Sequence, residues 1–175
     1  MTLVLRNRQR TCALNLPLLR RILKWILQSP PPFSLSPLGG EGRGGEAPAT
    51  GSLAIHFVTA NQIAGLNEHF LAHSGPTDVI TFNYGQEGAE IFICPEVAIG
   101  QSRQFRTTWQ SELVRYIIHG ILHLRGFDDL TPSDRRIMKR EENRLLRSVG
   151  KEFSVNAIGS LRAGVKACSH PRNPR

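Results

Sequence analysis

Eleven residues constrain this chain more than any others: His119-Gly120-Ile121-Leu122-His123-Leu124-Arg125-Gly126-Phe127-Asp128-Asp129. Two histidines four apart lie on one face of a helix, about one turn from each other. Gly126 ends that helix, since glycine readily takes the left-handed conformation of a C-terminal cap. The turned chain then brings Asp129 back toward the two imidazoles. The result is two nitrogens and one carboxylate oxygen on one side of a metal, with a fourth position open. An open position suits a catalytic zinc, because a structural zinc is closed by four protein ligands. Two unrelated core histidines are the bland alternative, and the added Gly and Asp at these intervals disfavour it.

The spacing is similar to the long zincin pattern of two histidines, a glycine and a third ligand. Gly120 stands where a metalloprotease carries its general-base glutamate. Asp129 stands where the third histidine would be. The ligand set survives and the base does not, which argues against peptide hydrolysis.

At this motif the chain resembles the YbeY family, whose pattern H-G-x-L-H-L-x-G-[YF]-D-[HD] residues 119–129 fill. Further matches follow in the family's order. They are Leu66-Asn67, Thr77-Asp78-Val79-Ile80-Thr81-Phe82, Ala89-Glu90-Ile91-Phe92-Ile93-Cys94-Pro95-Glu96, and Met138, Glu142, Leu145, Leu146 and Gly150. Leu3 to Gln28 is similar to the family's opening strand and helix. There are three departures: Asp129 where most members have histidine, Leu71 where a catalytic arginine commonly stands, and Ala89-Glu90-Ile91 in place of Gly-Asp-Ile.

The resemblance implies an α+β single domain, a small mixed sheet covered by helices. It implies a single-strand-specific, metal-dependent endoribonuclease with one zinc on His119, His123 and Asp129. The implied substrate is ribosomal RNA of the small subunit, at the 16S 3′ end, with a part in ribosome quality control. No membrane and no small-molecule cofactor are expected as partners, and the cytoplasm is the expected location. Two alternatives stay open. One is a metal-stabilised ribosome-assembly or RNA-binding factor with little turnover, which Leu71 favours. The other is a metallopeptidase, which Gly120 disfavours.

The remaining catalytic groups are less constrained. Asp128 is a candidate orienter of an imidazole or a turn carboxylate. Asp78 is placed to cap a turn or line the cleft. Arg125 and Arg103 are candidate phosphate contacts in place of the arginine missing at Leu71, or else solvated surface charges. A base, or a ribose 2′-hydroxyl attack that needs no water, are both compatible with the sequence. His69 and His73 are also four apart, but no third ligand follows at a matching interval, so they read as surface residues.

Size and charge fit this picture. A chain of 175 residues suffices for one domain with a real core. Its net charge of +8 sits at the ends: residues 1–40 carry +6, residues 41–50 carry −1, residues 51–150 carry −1 and residues 151–175 carry +4. Basic ends suit RNA phosphates, and equally suit simple solvation. Cys12, Cys94 and Cys168 are scattered and odd in number, which fits a reducing compartment without a disulfide framework.

Leu16, Leu19, Leu23, Ile26 and Leu27 recur at helical spacing. The acid-free, arginine-containing start also raises a transit peptide or a membrane-surface helix, and a core helix is preferred. Residues 1–28 are therefore the first strand and helix of the domain. Residues 29–52, with three consecutive prolines and a glycine-rich run, read as a disordered insertion. Residues 53–150 complete the domain, and 151–175 read as a disordered basic tail, frayed from 157 onward.

Within 53–150, strands are expected over 53–58, 79–82 and 91–94, the last two as central strands. Helices are expected over 61–72 with Leu66 and Phe70 inward, from Glu96 to Phe105, and from 131 to about 148. Ser111 is the expected N-cap of the histidine helix.

Overall fold

The computed structural model describes residues 2–29 and 51–163. Residues 30–50 of the expected insertion 29–52 and residues 164–175 of the expected tail lie outside the described residues, while Ser29 caps the end of α1 and Ser52 already belongs to a strand. The elements in chain order are β1 (Thr2–Asn7), β2 (Cys12–Leu14), α1 (Leu16–Gln28), β3 (Ser52–Phe57), α2 (Ala60–Leu71), β4 (Val79–Asn83), β5 (Gly88–Ile93), α3 (Pro95–Phe105), α4 (Trp109–Leu124), α5 (Pro132–Glu152) and β6 (Gly159–Leu161).

Four strands form a sheet in the order β1-β3-β5-β4. β1, β3 and β5 run parallel, and β4 lies antiparallel to β5 at the edge. The sheet is therefore mixed and small, and the fold is the expected α+β single domain.

Strand alternation decides what each face meets. Leu53, Ile55 and Phe57 of β3 and Ala89, Ile91 and Ile93 of β5 point into the main core. α1 adds Leu19, Ile22, Leu23 and Ile26 there, a helical stripe. α4 adds Leu113, Val114, Ile117, Ile118, Ile121 and Leu122, and α5 adds Met138, Leu145 and Val149. The opposite face is covered by α2, whose Ala60 and Ile63 meet Ile80 and the half-buried Phe82 and Phe92. Burying several such side chains, at about 1.5–3 kcal/mol each, is the main force that holds the helices on the sheet.

The helix ends follow from local chemistry. Asn15 caps α1, its side chain accepting the Leu18 N–H at 3.1 Å. Thr59 and Gln62 form a reciprocal capping box on α2. The N-cap of α4 is Thr108, whose Oγ1 accepts the Ser111 N–H at 3.2 Å. Ser111 is thus the bonded N3 residue and not the cap, a three-residue shift from the expectation.

Other sequence expectations also shift. Phe70 is not inward but 56% exposed, because the buried face of α2 runs through Ala60, Ile63 and Asn67. The Asn67 amide holds the chain beyond α2 by donating to the Gly75 carbonyl at 2.9 Å. β4 is an edge strand and not a central one. α5 continues through Gly150 to Glu152, where a stop near Ser148 was expected. The tail is ordered further than expected. Residues Val155–Ile158 form a 3-10 turn with Ile158 fully buried, and β6 pairs antiparallel with β2. Ile158, fully buried in the main core, anchors this return. Gly159 permits it, since a Cβ there would lie 2.3 Å from the Ala13 carbonyl oxygen.

Candidate metal centre

His119 and His123 lie on adjacent turns near the C-terminal end of α4. The helix ends as the glycine predicts. Gly126 takes φ +84°, its N–H donates to the His123 carbonyl at 3.0 Å, and the Phe127 N–H donates to the Leu122 carbonyl at 3.0 Å. This is a Schellman cap. It reverses the chain directly after the second histidine and returns Asp129 to the imidazoles.

The two Nε2 atoms face each other at 2.9 Å. The nearer carboxylate oxygen of Asp129 is 4.0 Å from the His119 Nε2. One donor atom each from His119, His123 and Asp129 fall within 4.8 Å of one another, the one such cluster among the described residues. Two imidazole nitrogens and a carboxylate oxygen are the donor types of open catalytic sites for zinc and related divalent ions.

The far side of each ring is committed. The His123 Nδ1–H donates to the Phe127 carbonyl at 3.1 Å, and the His119 Nδ1–H donates to Glu142 Oε1 at 2.6 Å. A carbonyl and a carboxylate only accept, so each Nδ1 carries its proton and each Nε2 presents its lone pair. The donor set therefore fits a divalent cation in tautomer as well as in position.

The fields on the two rings differ. Burial would lower the His119 pKa, but the hydrogen bond and charge of Glu142, with smaller contributions from Asp78 and Asp129, raise it overall. His123 is lowered by burial and then by neighbouring His119, against the pull of Asp129 and Asp128.

Asp128 does not touch an imidazole. It is exposed, and its Oδ1 accepts the Asp129 N–H at 2.7 Å. Of its two expected roles, the contact shown is the turn. Asp78 likewise caps its own turn, accepting the Thr77 hydroxyl at 3.1 Å and the Val79 N–H at 3.0 Å, while its charge reaches His119. From α5, Arg135 steadies the ligand loop by donating to the Asp129 and Leu130 carbonyls at 3.0 and 2.9 Å.

Arg125 is not a surface cation. It donates to the Ile26 and Leu27 carbonyls at 2.7 and 3.0 Å and clamps the end of α1 to the end of α4. Arg103 is exposed in the last turn of α3. Leu71 is 48% exposed at the end of α2. His69 and His73 are exposed and outside the cluster.

Glu142 is the residue that sequence reasoning passed over as a ligand partner. It was legible only as an anomaly: α5 buries Met138, Glu141, Glu142, Leu145 and Val149 on one face, and two of these are charged. A carboxylate on an apolar stripe requires a polar partner.

An α+β domain that turns a His-x3-His helix and an aspartate toward one point has the architecture of a metal-dependent hydrolase. The model of the family described as Endoribonuclease YbeY matches residues 43–150. Curated relatives named Endoribonuclease YbeY include one from Bacteroides fragilis, 40% identical over 99 residues, covering 55% of this chain and 71% of that protein. Another, from Chlorobium luteolum, is 37% identical over 100 residues, covering 55% of this chain and 73% of that protein. The solution structure of TM1509 from Thermotoga maritima superimposes with a TM-score of 0.55 at 22% identity. That match covers 94% of this chain and all of the other, so the fold is shared. This chain belongs to the YbeY family of metal-dependent endoribonucleases.

Proposed function

We propose that this chain is a single-strand-specific endoribonuclease that acts on small-subunit ribosomal RNA, at the 3′ end of the 16S species and in ribosome quality control. Its cofactor in this reading is one zinc ion on His119, His123 and Asp129, and its place is the cytoplasm. No helix among the described residues is long and apolar enough to cross a membrane. The observation that carries the proposal is the convergence of the two Nε2 atoms and the Asp129 carboxylate, with both Nδ1 sides already committed.

When bound, a zinc ion supplies Lewis acidity, which polarises a phosphoryl oxygen, acidifies water and offsets charge in the transition state. The chain's own part is to place the donors. α4 holds the two imidazoles one turn apart, the Schellman cap delivers Asp129, and Arg135 and Asp128 fix that loop. Asp78, in the turn just before β4, carries a charge that reaches the site, and Arg103 is an exposed cation available to a phosphate.

The test is cleavage of ribosomal RNA by protein of quantified metal content, beside a His123→Ala variant prepared identically. Cleavage that tracks bound metal and vanishes in the variant supports the nuclease. Stoichiometric metal with no cleavage above the variant, on free RNA or on small subunits, removes it. The exposed, uncharged Leu71 favours a second reading, a metal-stabilised assembly factor with little turnover. That reading gains if the protein binds RNA and metal without cleaving.

A further inference from the structure

We propose that Glu142 is a positioning residue that makes His119 the stronger of two unequal imidazole donors, and that Arg115 moderates its pull. This rests on the reading of His119 as a metal ligand. The two rings are alike in tautomer and unlike in what they lean on. His123 donates to a neutral carbonyl at 3.1 Å, whereas His119 donates to a carboxylate at 2.6 Å. Hydrogen bonds to an ionised acceptor are shorter and about twice as strong as neutral ones. A carboxylate on Nδ1–H draws that proton away and leaves more electron density at Nε2, which increases ligand basicity.

The carboxylate is held in turn. Glu142 Oε2 lies 3.5 Å from Arg115 Nη1, and that same nitrogen donates to Asn143 Oδ1 at 2.9 Å. The Arg115 Nε is 3.8 Å from Glu112 Oε2, and Glu112 Oε1 accepts the Thr107 hydroxyl at 2.9 Å. Both glutamates are buried. A chain of polar contacts thus runs from the ligand ring back to the start of α4. The short bond lies on the imidazole side and the long one on the guanidinium side. The charge of Glu142 is therefore directed mainly at His119, with Arg115 taking a lesser share. Because Glu142 belongs to α5, the packing of α5 on α4 also sets the orientation of the ring.

The experiment is a Zn2+ competition titration against a chromophoric chelator, paired with the visible spectrum of the Co2+-loaded protein. The proteins are wild type, Glu142→Gln, Glu142→Ala, Arg115→Met and His119→Ala. Loss of a partner of this kind costs roughly 10–100-fold in metal affinity, so Glu142→Ala is expected to weaken Zn2+ binding by that factor. Glu142→Gln keeps the shape and one acceptor oxygen without the charge. It is expected to fall between and to shift the Co2+ bands, which a purely structural role would not do. Arg115→Met is expected to bind Zn2+ more tightly than wild type, and affinity at or below wild type would remove the moderating role of Arg115. Wild-type affinity and an unchanged Co2+ spectrum in Glu142→Gln and Glu142→Ala, with affinity lost in His119→Ala, would overturn the inference alone. Wild-type affinity in His119→Ala would overturn the ligand assignment and the inference with it.

Discussion

Gly120 and Ile91 are in direct contact: a Cβ built on Gly120 would stand 2.9 Å from the Ile91 Cγ2 and 3.1 Å from its Cδ1. Thr81 Oγ1 closes the same space at 3.1 Å. The histidine helix thus lies on β4 and β5 at the one residue between its ligands' turns that has no side chain. A glutamate at this place, the general base of a metallopeptidase, would have to displace a fully buried isoleucine.

Gly120→Ala is expected to destabilise the fold. Overpacking of a tight core costs typically about 1–3 kcal/mol, and the better helix propensity of alanine returns about 1 kcal/mol. The net expectation is a loss of up to about 2 kcal/mol in urea unfolding. Equal or higher stability would show that Ile91 yields more easily than its full burial suggests.

Asp129→His converts the site to three neutral imidazoles. An aspartate ligand contributes negative charge that an imidazole does not, so the wild-type metal is the weaker Lewis acid. The rising limb of the pH–rate profile for RNA cleavage is expected to move to lower pH in the variant, with metal retained. Superimposable profiles would deny the ligand charge any part in tuning the reaction.

Arg125→Met removes the donors that serve the Ile26 and Leu27 carbonyls at the end of α1. Hydrogen bonds from charged groups contribute about 1.5–3 kcal/mol, and methionine keeps part of the apolar stem contact. A stability loss of about 1–2 kcal/mol is expected with Zn2+ affinity unchanged, since the guanidinium faces α1. A large fall in RNA affinity at constant stability would instead restore Arg125 as a phosphate contact.

His56 provides a pH signature away from the metal. It is buried on the outer side of β3, stacked on Phe92 at 4.6 Å and 3.1 Å from Glu90. Burial lowers its pKa below the usual 6.5, despite the charge and hydrogen bond of Glu90, and Arg8 and Arg6 lower it further. The unfolded chain therefore takes up a proton at this residue before the folded one does. Its contribution to stability is full above 6.5 and is lost as pH falls from there toward the folded value. Melting curves at successive pH values below 7 are expected to fall less steeply for His56→Gln than for wild type. Equal slopes would show that the ring is neutral in neither state's favour.

Much of this protein was legible in order along the chain. The His119–Asp129 run specified its own helix, its stop and its returning carboxylate, because each depends on residues within a few positions. The α1 stripe, β3 and β5 were legible for the same reason, as periodic apolar patterns. Phe70 misled because an apolar residue at helical spacing reads as inward, whereas burial depends on how far α2 extends over the sheet. The tail misled because one isoleucine, Ile158, pairs its segment with β2 across more than 140 residues.

The sequence by itself determined the local chemistry: two imidazoles one turn apart, a glycine to reverse the chain, and an acid to meet them. Helix period and glycine's access to positive φ suffice for that. Only the tertiary structure decided which Nδ1 faces a carboxylate, that Arg125 serves α1, and that the helix of Gly120 rests on Ile91. Those are contacts between elements far apart in the chain. They are set by how the apolar faces pack, and no local spacing encodes them.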